Sequence, residues 1–316
     1  MAGVKPTRVF ALASLAAPAA AAAATFGTNG STLVYRSSAG ETDGFFPTYR
    51  RNRDFWWVGA DDPPFVNAGA SCSKGDGPDR PFHTNDSGSR VQIVSCPAAG
   101  VRLADVQLGD GNDKMGIQRD EIYRADGEDD QALLPVHRLA VHADGGPGND
   151  LIESGVFADV LFGGPGDDIM IALGGDDVIR GGPGSDLNQG GAGNDKIYGD
   201  AGPDRLNGFE GADKIYGGQG NDRIDGAGLS FGTDGRDSIY GGPGADQLED
   251  GQRVKVTPGD RFFGGPGNDR IDDRDGYRDG IDCGAGRDLV LADKRDSVAG
   301  NCERVQREFR RPGIRS

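Results

Sequence analysis

Histidine is almost absent from the 316 residues, which hold only His83, His137 and His142. No HExxH zinc motif and no GxxxxGK phosphate loop occurs, so the usual metalloprotease and nucleotide-binding signatures are missing. His137 and His142 lie five apart, a spacing that neither a helix nor a strand turns into one ligand face. Positive charge is also in deficit. The 34 Lys and Arg are set against 50 Asp and Glu, a formal charge of −16, and such a surface repels nucleic acid and anionic membranes. Apolar residues make up 35% of a chain with 55 glycines, which argues for an elongated body over a large globular core.

Long apolar runs are confined to the start. Lys5 and Arg8 form a short basic region, Val9 to Ala17 an apolar one, and the alanines up to Ala24 offer Ala-x-Ala cleavage sites. Residues 1–24 therefore read as a secretion signal, and the segment is too short and alanine-rich for a good membrane anchor. Residues 1–24 hold two bases and no acid, so their removal would take the charge from −16 to −18. Four cysteines in an exported chain suggest two disulfides, for which three pairings are formally open. The local ones are expected, Cys72 with Cys96 and Cys283 with Cys302.

What the chain does have is a period. From Gly145 to Asp225 the unit Gly-Gly-x-Gly-x-Asp-x-apolar-x recurs nine times in register. Its sixth place is Asp150, Asp159, Asp168, Asp177, Asp186, Asp195, Asp204, Asp213 and Asp222. Two places on stand Ile152, Leu161, Met170, Ile179, Ile197, Leu206, Ile215 and Ile224, with Asn188 the exception. Glycine-rich turns of six residues alternating with strands of three would bury the eighth residue and leave the seventh and ninth facing water. Stacked coils place equivalent Asp residues about 4.8 Å apart. Unit charges at that distance repel by about 3 kcal/mol per pair at an effective dielectric near 20. A hard cation that takes six to eight oxygens would reverse the sign. Two other readings of the same residues are a disordered acidic tract and a solenoid whose Asp residues only form turns. The first does not need a hydrophobe after each Asp.

The strings GGPGND at Gly145, GGAGND at Gly190 and GGQGND at Gly217 resemble the RTX, or haemolysin-type, calcium-binding nonapeptide of secreted bacterial proteins. The resemblance implies an all-β parallel β-roll, or β-solenoid, with two nonapeptides per coil and Ca2+ held between successive turns on each edge. An early copy, GDGND, starts at Gly109; Asp237, Asp246 and Asp269 head clear late copies, and Asp260, Asp279 and Asp288 degraded ones. The repeats are expected over 109–291. Expected metal ligands are the carboxylates of Asp150, Asp168, Asp177, Asp186, Asp195, Asp204, Asp213, Asp222, Asp246 and Asp269. Carbonyls would come from the turns of Gly145, Gly163, Gly166, Gly181, Gly184, Gly190, Gly193, Gly199, Gly202, Gly217, Gly220, Gly241 and Gly264. One edge, starting at Gly145, keeps glycine at its first and fourth places. The other has Ser154, Phe157 and Ala172 there, so weaker binding is expected at its Ser154 end.

Residues 25–108 lack the glycine period and carry apolar alternation at Thr32–Tyr35, Phe55–Val58, Val91–Ser95 and Val101–Leu108. They read as a β cap hiding the first coil, with one of Trp56 and Trp57 inside and the other exposed. Residues 292–316 read as a C-terminal cap closed by Cys302, then a basic tail suited either to solvent or to an acidic surface polymer. Asp273, Asp275, Asp279 and Asp282 cluster without EF-hand spacing and read as a degraded repeat able to touch calcium. Two functions follow. One is a secreted, non-catalytic calcium-binding protein with a structural or adhesive role. The other is an exoenzyme or toxin-like effector with the roll as its folding module.

Overall fold

A computed structural model describes residues 140–227, 235–250 and 259–307, and the strand backbones between residues 25 and 116. Among the described residues every regular element is a strand. Those of the N-terminal part are β1 (Thr25–Asn29), β2 (Thr32–Arg36), β3 (Gly44–Arg50), β4 (Phe55–Ala60), β5 (Asn67–Ala68), β6 (Ser73–Lys74), β7 (Gln92–Pro97), β8 (Leu103–Gln107) and β9 (Lys114–Gly116). The roll continues with β10 (Ala140–Asp144), β11 (Leu151–Glu153), β12 (Val160–Phe162), β13 (Ile169–Ile171), β14 (Val178–Pro183), β15 (Leu187–Ala192), β16 (Lys196–Ala201), β17 (Arg205–Glu210), β18 (Lys214–Gln219) and β19 (Arg223–Asp225). It ends with β20 (Ser238–Tyr240), β21 (Gln247–Glu249), β22 (Arg261–Gly267), β23 (Arg270–Asp273), β24 (Gly280–Gly286), β25 (Leu289–Ala292), β26 (Ser297–Val298) and β27 (Arg304–Arg307).

From β10 onward, even strands build one sheet and odd strands the other, all pairing in parallel with the strand one coil away. The result is a parallel β-solenoid of about eight coils, two nonapeptides each. Pairing couples residues 18 apart, as in Ile179 with Ile197 and Met170 with Asn188, so the sequence period becomes the spatial one. Beyond β8 and β9 the sheets run on into β2 and β3 in parallel, then turn antiparallel at β1 and β4. Nothing further is described of Trp56, Trp57 or the Cys72–Cys96 pair, whose side chains lie outside the described residues.

The core is one residue deep. Ile152, Leu161, Met170, Ile179, Ile197, Leu206, Ile215 and Ile224 are all fully buried, while their strand neighbours reach the surface. Burying each side chain contributes roughly 1.5–3 kcal/mol. Asn188 is also fully buried and donates from Nδ2 to the Tyr198 carbonyl at 3.2 Å, so its amide links the two sheets inside the core. On the outer face of the even sheet, ninth-place rings stack along the axis: Tyr198 on Tyr216, Tyr216 on Tyr240 and Tyr240 on Phe263, with centroids 5.0, 4.7 and 4.6 Å apart. Parallel in-register strands bring like residues together and make such ladders.

Two features go beyond the sequence expectation. Strands β14 to β18 are six residues long, because the first three turn residues also pair with the next coil, as Gly182 does with Asp200. The C-terminal cap continues the roll as one more narrow coil: β26 pairs with β24 and β27 with β25, all parallel. The basic stretch thus begins as the last strand. Cys283 and Cys302 form the expected disulfide, with Cα atoms 5.3 Å apart. Closing a loop of this length restrains the unfolded chain by about 3 kcal/mol. Its reduction is expected to expose the amides of β26 and β27 to hydrogen exchange well before those of β14 to β18. Uniform protection loss along the roll would contradict this.

Candidate metal centre

Each turn places its sixth residue at the inner corner where the chain passes from one sheet to the other. On the first edge these are Asp150, Asp168, Asp186, Asp204, Asp222, Asp246, Asp269 and Asp288. On the second they are Asp159, Asp177, Asp195, Asp213, Asp237, Asp260, Asp279 and Asp296. All but Asp296 are 0–3% exposed. In every coil the Asp amide donates to Oδ1 of the Asp one coil further on. Asp168 N to Asp186 Oδ1 is 2.9 Å and Asp177 N to Asp195 Oδ1 is 2.8 Å. Two continuous carboxylate ladders run the length of the roll. They pass through the turns that looked degraded: Asp237 N bonds Asp260, Asp260 N bonds Asp279, and Asp269 N bonds Asp288. The first ladder closes on Glu303, whose Oε2 accepts from Asp288 N at 3.0 Å.

The second oxygen is different. Oδ2 of Asp168, Asp177, Asp186, Asp195, Asp204, Asp222, Asp246, Asp260, Asp269, Asp279 and Asp288 is buried and accepts no hydrogen bond. Where the first place of the turn is glycine, Oδ2 lies against it: a Cβ on Gly145 would come within 2.4 Å of Asp150 Oδ2, and one on Gly181 within 2.2 Å of Asp186 Oδ2. Gly163, Gly190, Gly199, Gly217, Gly241 and Gly264 stand in the same relation to their own carboxylates. At the fourth place the intruder is backbone. A Cβ on Gly166 would fall 1.5 Å from the Gly148 carbonyl oxygen, and Gly184, Gly202, Gly220 and Gly193 repeat this contact one coil along. Glycine is required at these places because a carboxylate or a carbonyl occupies the space of its side chain. At the second place the backbone has positive φ, which Leu173, Asp200 and Phe209 adopt despite their side chains (φ 70–74°).

Stripped of water, the carboxyls hold their protons more tightly. Burial, reinforced by the neighbouring carboxylates, pushes Asp168 and Asp186 up to about 6, Asp204 and Asp246 to about 7, and Asp177 to about 8. A column of buried, donor-free oxygens beside bare carbonyls is a donor set for a hard cation that prefers oxygen. The sixth-place Asp residues would hold it together with carbonyls of the glycine turns. Such an ion would neutralise the ladder and displace its protons.

The sixth-place Asp residues stack in the register that the period implies, but the sequence did not announce a further ladder on the turn surface of each edge. Fifth-place side chains accept from the fifth-place amide of the following coil, as Asn149 does from Asp167 N (2.9 Å) and Asp176 from Asn194 N (2.8 Å). The signal was the Asn, Asp or Ser that precedes several of the sixth-place Asp residues, at Asn149, Asp167, Asp176, Ser185, Asn194, Asn221 and Asn268. Asp159 departs from the rule. Its Oδ2 accepts from Gly155 N at 3.1 Å, while the Ser154 hydroxyl donates to the Ala172 carbonyl at 3.2 Å.

Fold and site together define a parallel β-roll with carboxylate ladders on both edges. The model of the RTX calcium-binding nonapeptide repeat, four copies long, matches residues 144–179, 153–187, 189–224, 225–249 and 259–290. Residues 144–290 are thus RTX calcium-binding repeats. No curated protein matches the chain.

Proposed function

We propose that the protein is a secreted, non-catalytic calcium-binding roll whose acidic, elongated body has a structural or adhesive role outside the cell. The observation that carries this is the array of buried Oδ2 oxygens without hydrogen-bond donors, on both edges of the roll. Modules of the extracellular type bind calcium at about 10⁻⁴–10⁻³ M, a range in which export would load the sites. The basic and apolar leader and the Cys283–Cys302 disulfide fit an oxidising destination. The arginines from Arg304 onward give a basic end to an acidic body, suited to an acidic polymer at a cell surface. Among the described residues no helix is long and apolar enough to cross a membrane.

One string favours the enzyme reading. Gly228-Leu229-Ser230-Phe231-Gly232 has the spacing of a nucleophile elbow, although an elbow needs a helix after its serine and the next described element is the strand β20. Secreting the full chain, sequencing its new N-terminus and assaying esters and peptides with and without calcium tests the proposal. The expected result is cleavage after the alanine run and no turnover. Turnover abolished by Ser230→Ala would establish the exoenzyme instead.

A further inference from the structure

Past residue 249 the second edge changes chemistry. The first place of the turn, glycine at Gly190, Gly208 and Gly226, is Asp250 and then Asp273 in the coils that follow, as the strand register shows. The turn from Asp273 to Asp279 adds a third acid, Asp275, and the next coil brings Asp296. One carboxylate oxygen each of Asp273, Asp279 and Asp296 lies within 4.8 Å of the others, and the same holds for Asp260, Asp275 and Asp279. Asp279 belongs to both groups. These residues go beyond the single sixth-place carboxylate that each glycine turn supplies.

Four oxygens at this centre lack donors. Asp273 is 1% exposed and its Oδ2, within the first group, accepts no hydrogen bond; nor does Oδ2 of Asp260, Asp275 or Asp279. What donors exist go to the other oxygens of Asp275 and Asp279 and to both oxygens of Asp296: Gly259 N and Asp260 N to Asp279 Oδ1, Tyr277 N to Asp275 Oδ1, Asp279 N to Asp296 Oδ1 and Asp293 N to Asp296 Oδ2. Nearby arginines are engaged, Arg274 with the Asp272 carboxylate and Arg307 with the carbonyls of Asp293 and Asp296. Burial first, then the charges of Asp279, Asp296, Asp275 and Asp260, drives the Asp273 carboxyl well above the usual range.

We propose that Asp273, Asp279 and Asp296, extended through Asp279 to Asp260 and Asp275, form at the end of the second ladder a carboxylate-rich centre for a hard, calcium-sized divalent cation, of higher affinity than the glycine turns. Affinity for such ions rises with the number of charged ligands and with site rigidity. Three buried carboxylates drawn from two successive turns exceed what a glycine turn offers. The disulfide one strand away, between β24 and the last coil, limits how far the centre can open. An ion here would pin the C-terminal coil while the rest of the array is still empty. The inference stands whether or not the glycine turns load.

Calcium titration of the full oxidised chain by flow dialysis and calorimetry tests it. The expected result is a tight class of about one or two ions, filled at concentrations at least about tenfold below the remainder. Asp273→Asn with Asp296→Asn should remove that class and leave the weaker class intact, while Asp186→Asn should weaken the other class and leave the tight one intact. The amides are close in size to the acids they replace and remove like-charge repulsion, and circular dichroism in excess calcium checks that the roll still forms. Terbium emission sensitised by Tyr277, and lost in Tyr277→Phe, would place an ion at this turn. A single class of equivalent sites, or a tight class unchanged in the Asp273/Asp296 double variant, would overturn the proposal. A tight class surviving alone would instead discredit calcium loading of the glycine turns.

Discussion

In excess chelator at neutral pH, the roll is expected to lose most of its strand circular dichroism and to expand, and millimolar calcium to restore both. The thin core cannot offset the entropy of ordering so many glycines while two ladders of buried carboxylates repel at about 3 kcal/mol per neighbouring pair. A site held at about ten times its dissociation constant contributes about 1.4 kcal/mol, so five of them supply about 7 kcal/mol, within the range of the whole stability of an ordinary domain. Magnesium should substitute poorly, because it demands a smaller and stricter octahedron. Unchanged strand signal and hydrodynamic radius in chelator would show that the solenoid stands without metal.

Protons should partly replace the ion. The folded-state values of Asp168, Asp186 and Asp195 rise to about 6, those of Asp204 and Asp246 to about 7 and that of Asp177 to about 8, each from an ordinary value of 3.8. The metal-free folded chain therefore binds more protons than the unfolded chain between about pH 4 and 8, and its stability falls as pH rises through that window. The chelated protein should regain strand signal on acidification from pH 8 to 5. Loss of signal over the same range would contradict the buried-carboxylate account.

The period made most of this legible. An 18-residue coil fixes which residues stack, so the apolar eighth place had to be core and the sixth-place Asp had to form columns. What escaped was set by contacts between coils instead of within a unit. The six-residue strands, the fifth-place ladder and the closing of the first ladder on Glu303 depend on neighbours 15 to 18 residues away. The late copies fall out of the strict period because their spacing stretches: Asp213 bonds Asp237 at a separation of 24, and Asp237 bonds Asp260 at 23. The coil keeps its strands and its Asp in register, and the extra residues are added between them. Asp273 was legible as part of an acidic cluster, but Asp296 was not, since only the fold brings its turn against that of Asp273.

The two edges should respond unequally to loss of a carboxylate, and the difference should lie in calcium dependence. Asp186 has Oδ1 bonded to Asp168 N and Oδ2 without a donor, between two glycine turns of the regular edge. Asp186→Ala removes a ligand from the ions on either side, so the calcium concentration at the folding midpoint is expected to rise roughly tenfold, as loss of about 1.4 kcal/mol of coupling requires. Asp159 is already satisfied by Val141 N at Oδ1 and by Gly155 N at Oδ2. Asp159→Ala leaves those amides without partners at a cost of about 1–3 kcal/mol, which is present with or without calcium and barely moves the midpoint. The weak stretch is narrower than the glycine pattern alone suggests. Ala172 stands at a first place, yet Asp177 Oδ2 is buried without a donor, so Asp177→Ala should behave like Asp186→Ala. Stability measured in chelator at pH 5 and in excess calcium at pH 7.5 separates the two effects. Equal midpoint shifts for the Asp186 and Asp159 variants, or an ordered calcium beside Phe157 in a crystal, would refute the assignment of Ser154 to Asp159 as a turn closed by protein donors alone.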